Sequence, residues 1–228
     1  MHNKLAKTDP LFKKLVKQHG KISLPDVARG PRAKWQPYQA LVRSIAYQQL
    51  HGKAAETIFN RFLDKFGGKF PTPQQILKLR TPTFRACGFS GSKTAAIKDI
   101  AKHTIKGTVP DLKTAKKLKN EELIARLTQI RGVGQWTVEM FMIFTLGRTD
   151  VLSAGDFGVR NGYRIAAGLK EMPNEKEFAR IGQRWAPYGS LACLYLWRAA
   201  DVSKLPKAPT KTKAKPATKQ KPRKKIKT

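Results

Sequence analysis

The stretch that decides the architecture is Leu127-Thr-Gln-Ile-Arg-Gly-Val-Gly-Gln-Trp-Thr-Val138, followed by Asp150-Val-Leu-Ser-Ala-Gly-Asp-Phe-Gly-Val159. A helix that ends at Ile130 must turn sharply through Arg131-Gly132-Val133-Gly134 before a second helix starts at Gln135. The two glycines permit this, because without Cβ atoms they adopt positive φ freely and let a ligand come close to the backbone. The first N–H groups of the second helix have no acceptor within it and lie at its positive end, so the turn is an anion site that needs no side chain. Gly132, Val133, Gly134 and Gln135 are therefore candidates to hold a nucleic-acid phosphate, a contact that positions a protein without reading sequence. The same Gly-x-Gly also serves as a plain tight connection between helices.

Working outward, helix punctuation recurs and period-two alternation is scarce, which predicts an all-α fold. Asp9-Pro10 opens a helix with Leu11, Leu15 and Val16 on one stripe, closed by Gly20. Thr72, Pro73 and Gln75 form a capping box, Thr81-Pro82 repeats the start signal, and Asn174 with Glu177 is a further box. Longer helices are expected over 36–50, 52–66, 91–105, 120–130, 135–146, 158–168, 175–185 and 189–200, with Gly67-Gly68, Gly88, Gly107 and Gly168 as stops. The expected organisation is two helical subdomains over residues 1–201 and a disordered Lys-rich tail over 202–228, a segment with no aromatic residue to bury.

The charge narrows the partner. The chain of 228 residues carries 46 Lys and Arg against 15 Asp and Glu, a net +31. Residues 202–228 hold 11 of the basic residues and no acid, so residues 1–201 keep 35 − 15 = +20. A surplus on the folded part and not only on the tail favours a polyanion, with nucleic acid ahead of a membrane surface. The tail suits an electrostatic arm on DNA. No run approaches a membrane span of roughly 18 apolar residues, and the first twenty residues hold no signal-peptide core. An intracellular monomer is expected, in a bacterial cytoplasm or nucleoid ahead of a eukaryotic nucleus. Two cysteines, Cys87 and Cys193, make neither a disulfide framework nor an iron–sulfur site. Histidines 2, 19, 51 and 103 have no ligand spacing, so no cofactor is expected to be required.

Ile130-Arg-Gly-Val-Gly-Gln-Trp136, with Asp156 twenty-two residues after Gly134, resembles the helix-hairpin-helix (HhH-GPD) DNA glycosylases, in particular the 3-methyladenine DNA glycosylase II (AlkA-type) branch. Ser44-Ile-Ala-Tyr-Gln-Gln-Leu-His51, Phe89-Ser90 with Lys93 and Ile97, and Trp185-Ala-Pro-Tyr-Gly-Ser190 leading to Trp197 extend the resemblance from about residue 35 to about residue 200. It implies an active site in the cleft between the subdomains, double-stranded DNA with a damaged base as partner, and excision of alkylated purines. Asp156 would then stabilise the sugar cation left when the C1′–N bond breaks. On residue type alone, Asp156 is equally an N-cap for the following helix, and Glu139 and Asp150 are the other carboxylates of the region.

The resemblance makes Trp136 and Trp197 walls of the pocket for a flipped base, and Tyr47 and Phe157 follow by adjacency. Stacking of a cationic alkylated purine on indole adds a cation–π term of roughly 0.5–2 kcal/mol. In lyase-competent relatives a lysine stands two residues after the second hairpin glycine. Here that position is Trp136, which implies a monofunctional enzyme. Gln48, Gln49, Leu50 and His51 lie at a helix junction, with Gln49 or Leu50 as wedge for the emptied duplex, and Lys93 is a candidate phosphate contact. By the same resemblance the carbonyls of Thr128, Ile130 and Val133 hold a structural Na or K ion. Two other readings stand beside this one: a non-enzymatic hairpin DNA-binding protein, and a glycosylase for deaminated or oxidised bases.

Overall fold

The computed structural model describes residues 1–22, 35–50 and 52–202, so the tail beyond 202 and His51 lie outside the described residues. The described residues form thirteen α-helices, one 3-10 turn and no strand. They are α1 (His2–Thr8), α2 (Pro10–His19), α3 (Pro37–Tyr47), α4 (Gly52–Asp64), α5 (Pro73–Lys78), α6 (Thr81–Cys87) and α7 (Gly91–Ile105). Then come α8 (Leu112–Lys117), α9 (Asn120–Leu127), α10 (Gln135–Phe144), α11 (Phe157–Ala167), α12 (Glu175–Gly182), a 3-10 turn (Gln183–Trp185) and α13 (Gly189–Val202).

The capping signals act where the sequence places them. Thr72 Oγ1 accepts from Gln75 N at 3.2 Å while Gln75 Oε1 accepts from Thr72 N at 2.8 Å, and Asn174 and Glu177 repeat the exchange at 3.0 Å each way. Gly88 and Gly168 close α6 and α11 in the left-handed conformation. Several helices end earlier than expected, two of them with a visible cause. α3 stops at Tyr47 because Gln48 leaves helical geometry, and α9 stops at Leu127, beyond which Ile130 N donates to Leu127 O in a tightened turn. α1 and α8 were not expected, since each is a short helix with one buried side chain, Leu5 or Ala115.

Packing sorts the helices into two groups. The middle of the chain is one: α7 packs on α3, α5 and α6, and α4 packs on α3 and α6. Its centre is a set of phenylalanines, with Phe62 stacked on Phe84 at 5.6 Å and edge-on to Phe89 at 5.5 Å. The two chain ends form the other, in which α13 packs on α11 and α2. There the buried Trp185 touches Phe12, Tyr163 and Phe178 at 5.2, 5.8 and 5.5 Å. Asp9 ties the ends together: Oδ1 caps α2 through Leu11 N at 3.0 Å, and Oδ2 accepts from Trp185 Nε1 at 3.0 Å and Arg184 at 2.8 Å. α10 is buried on most of its circumference, contacts α3 of the first group and sets Phe144 against Trp197 of α13 in the second, so it lies where the groups meet.

The closest backbone approach is that of α11 to α13. A Cβ on Gly162 would stand 1.9 Å from the carbonyl oxygen of Leu196, an obstacle that no rotamer change removes. Gly162→Ala is therefore expected to force the helices apart and cost about 3 kcal/mol, read as a lower urea midpoint at unchanged slope. An unchanged midpoint contradicts this packing.

Candidate active site

Asp156 is where three elements converge. It is the N-cap of α11, and its Oδ1 accepts from Val159 N at 2.8 Å. The same oxygen accepts from Trp197 Nε1 of α13 at 2.9 Å, and Oδ2 accepts from Trp136 Nε1 of α10 at 2.6 Å. The cap of α11 is thus also the point where the indoles of α10 and α13 meet one carboxylate. Three N–H donors fill three of the roughly four lone-pair positions of a carboxylate, leaving one on Oδ2. The half-buried group has no Lys, Arg or His within ion-pair distance among the described residues. Its charge is held by neutral dipoles and the positive end of a helix. Gly158 makes this possible, since a Cβ there would sit 3.1 Å from both Asp156 Oδ1 and Trp197 Cδ1.

Trp136 also belongs to a cavity of about 650 Å³, whose wall includes Tyr47, Gln48 and Gln49 together with Arg43, Ser44, Met140 and Phe144. Tyr47 and Trp136 thus stand where a base-sized ligand fits. Trp197 stands one layer behind, stacked on Phe144 with centroids 5.8 Å apart. Phe157 is not part of this wall: as the first residue of α11 its ring is 66% exposed, which corrects its expected place. Arg43 lies with its guanidinium carbon 3.7 Å from the Tyr47 ring centroid and 5.5 Å from that of Trp35.

The junction after α3 is tied to the hairpin. Gln48 Nε2 donates to Gly132 O at 3.3 Å and to Thr137 Oγ1 at 3.2 Å, so its amide points inward. Lys93 Nζ donates to Ala46 O at 2.9 Å and Gln48 O at 2.8 Å. Its expected place as a free phosphate contact is corrected: the ammonium caps the end of α3, and burial pulls its pKa down. Gln49 adopts φ of 55° and is exposed, and Leu50 is exposed, so both wedge candidates sit on a turn fixed from two sides.

In the hairpin only Gly132 uses the left-handed region, with φ of 77°, and a Cβ there would meet Ala96 Cβ at 2.9 Å. Gly134 has an extended backbone and open space where a Cβ would lie, which leaves room for an approaching anion. Among the described residues, the N–H groups of Gly134, Gln135 and Trp136 have no protein acceptor. Arg131 N donates to Asp99 at 2.9 Å, which docks the turn on α7.

Residues 42–187 match the family described as HhH-GPD superfamily base excision DNA repair protein. The chain belongs to the HhH-GPD superfamily. It is 42% identical over 200 residues to DNA-3-methyladenine glycosylase 1 of Schizosaccharomyces pombe, covering 87% of this chain and 86% of that one. The fold is similar to that of the S. pombe 3-methyladenine DNA glycosylase (Mag1) in complex with abasic DNA, with TM-score 0.79 and 42% identity over 90% of this chain and 98% of that one. It is also similar to a DNA-3-methyladenine glycosidase of Bacillus halodurans, with TM-score 0.75 and 37% identity over 86% and 87% of the two chains.

One residue of this HhH-GPD chain, named in the sequence only as another carboxylate of the region, proves central to the packing. Glu139 is buried and accepts from Ser153 Oγ at 2.5 Å and from Gln135 Nε2 at 2.9 Å. With Ser190 Oγ on Val151 N at 3.0 Å and Cys193 Sγ on Ser153 N at 3.4 Å, it fixes the segment that delivers Asp156. Burial pushes the Glu139 carboxyl above the usual glutamate range, against the hydrogen bonds that lower it. The folded state therefore binds this proton more tightly than the unfolded chain, so the linked stability is full in acid and declines as pH climbs through the raised value. Glu139→Gln removes that dependence. Urea midpoints at about pH 5 and about pH 8 are expected to shift in the variant's favour at the higher pH, and a constant difference contradicts the assignment.

Proposed function

We propose that the protein is a monofunctional DNA glycosylase that flips alkylated purines, of the 3-methyladenine and 7-methylguanine type, out of double-stranded DNA and hydrolyses the N-glycosidic bond. The observation that carries this is Asp156, bound only by N–H dipoles and joined through Trp136 to an aromatic-walled cavity. As the C1′–N bond breaks, its electron pair leaves with the base and positive charge develops on the sugar. A carboxylate with no cation of its own stabilises that charge best, in the manner of preorganised electrostatic catalysis. Water then bonds to C1′ and gives up a proton, for which the free position on Asp156 Oδ2 is an acceptor. An alkylated base cation is a ready leaving group, so a general acid is not required.

The names of the relatives support the substrate class, and the +20 charge of residues 1–201 supports the duplex as partner. The unpaired N–H groups from Gly134 to Trp136 would hold a phosphate. The carbonyls of Thr128 and Val133 accept no protein hydrogen bond among the described residues, and that of Ile130 accepts one, from Val133 N. Such oxygens fit a monovalent cation bridging to the backbone phosphate. Among the described residues no helix is long and apolar enough to cross a membrane. The compartment of the DNA, bacterial nucleoid or eukaryotic nucleus, would be the protein's own.

Trp136 replaces the amine that a lyase would use, so hydrolysis leaves an intact abasic strand. On duplexes with single lesions, Asp156→Asn is expected to lower base release by about a hundredfold or more while duplex binding persists. Borohydride is expected to trap no covalent adduct. Wild-type protein that binds DNA yet releases no base would make the hairpin a binding module only, and a trapped adduct would refute the monofunctional assignment.

A further inference from the structure

Among the described residues Arg43 is the one cation in the wall of the aromatic cavity, and nothing in the scheme above uses it. It lies on α3 one turn before Tyr47, and its guanidinium carbon stands 3.7 Å from the Tyr47 ring centroid and 5.5 Å from that of Trp35. A guanidinium carbon this close over a ring leaves N–H groups at the guanidinium edge able to donate elsewhere. Among the described residues none of these donors has a hydrogen-bond acceptor and no carboxylate pairs with the charge. A guanidinium stays charged at any working pH and presents five donors in one plane. A cation that is oriented, unpaired and set in a cavity wall is a feature that an occupant with acceptor atoms would complete.

The same contact alters what Tyr47 offers. One face of its ring already carries the Arg43 cation, so Tyr47 adds little cation–π attraction for a positively charged base, and Trp136 is left as the indole of the wall. Ground-state attraction for base cations is thus weaker than aromatic content alone implies. The departing base, by contrast, always becomes more negative. When C1′–N breaks and the pair stays on nitrogen, a cationic alkylpurine turns neutral and a neutral purine turns anionic, the latter then taking a proton from solvent. A fixed positive charge beside the base favours both changes. It matters most where the leaving group is poor and carries acceptors, as a 6-oxopurine does at O6 and N7, the edge an arginine fork matches.

We propose that Arg43 is a specificity-determining residue: its edge donors and charge extend the reaction from self-departing alkylpurine cations to neutral 6-oxopurine lesions of the deaminated class. This rests on the glycosylase reading above. The test is single-turnover release from duplexes carrying one 7-methylguanine or one hypoxanthine, with wild type, Arg43→Gln and Arg43→Lys. Arg43→Gln is expected to slow hypoxanthine release by about tenfold or more beyond any slowing it causes on 7-methylguanine, and Arg43→Lys, keeping charge without the fork, is expected to fall between. Urea midpoints that match the wild type show that each variant is folded. Equal slowing on both bases, unchanged hypoxanthine release, or a wild type that releases 7-methylguanine but no hypoxanthine would each overturn the proposal while leaving the glycosylase reading in place. A wild type that releases neither base removes that reading, and this inference with it.

Discussion

A carboxylate stabilised by dipoles instead of by a counter-cation is the constraint on which the rest of this molecule depends. Asp156 takes one N–H from each of α10, α11 and α13 and pairs with no cation among the described residues. A lysine or arginine in the place of either indole would hold the carboxylate as well or better in isolation. It would also neutralise the charge that the proposed reaction sets against an emerging sugar cation. Two tryptophans solve both problems, because the indole N–H donates strongly and carries no charge, and the ring behind it adds apolar surface.

Holding three donors on one group demands close packing of their helices. Gly162 lets α11 lie against the backbone of α13, and Gly158 lets the Trp197 indole reach the carboxylate. Glu139, buried on α10, grips Ser153 and so sets the course of the chain just before Asp156. On the other side of the cavity, Lys93 and Gln48 lock the turn after α3 to α7 and to the hairpin. The wedge candidates, the unpaired N–H groups of the hairpin and the carboxylate are therefore placed relative to one another by hydrogen bonds between elements remote in sequence. Low mobility of such a constellation is what preorganised electrostatics requires.

Some of this was legible from residues alone, because it rests on local rules. The hairpin follows from two glycines at a helix boundary, and the capping boxes from residues three apart. Asp156 as the N-cap of the following helix was legible from residue type, whereas its place in a site came from the resemblance. What escaped was set by tertiary contact. Arg43 and Tyr47 lie four apart, as do Trp136, Met140 and Phe144, and such spacing marks an apolar helix face without telling whether it meets core or cavity. Glu139 in an otherwise apolar helix was a signal, since a carboxylate is buried only with partners, but its partner Ser153 lies fourteen residues away. Trp197 was expected as a flat wall, and its N–H proved as consequential as its ring. Lys93 looked free because nothing local shows that the end of α3 comes within its reach.

The most direct test of the carboxylate's role separates charge from shape. Duplexes carrying, in place of one nucleotide, either a protonated pyrrolidine ring or an uncharged tetrahydrofuran ring present the same outline with and without a positive charge at the sugar. Titrated with wild-type protein and with Asp156→Asn, the cationic duplex should bind more tightly than the neutral one by about tenfold or more, and the substitution should erase that preference while leaving the neutral duplex nearly unaffected. Equal affinity of the wild type for the two duplexes, or a preference that survives in Asp156→Asn, would contradict the account.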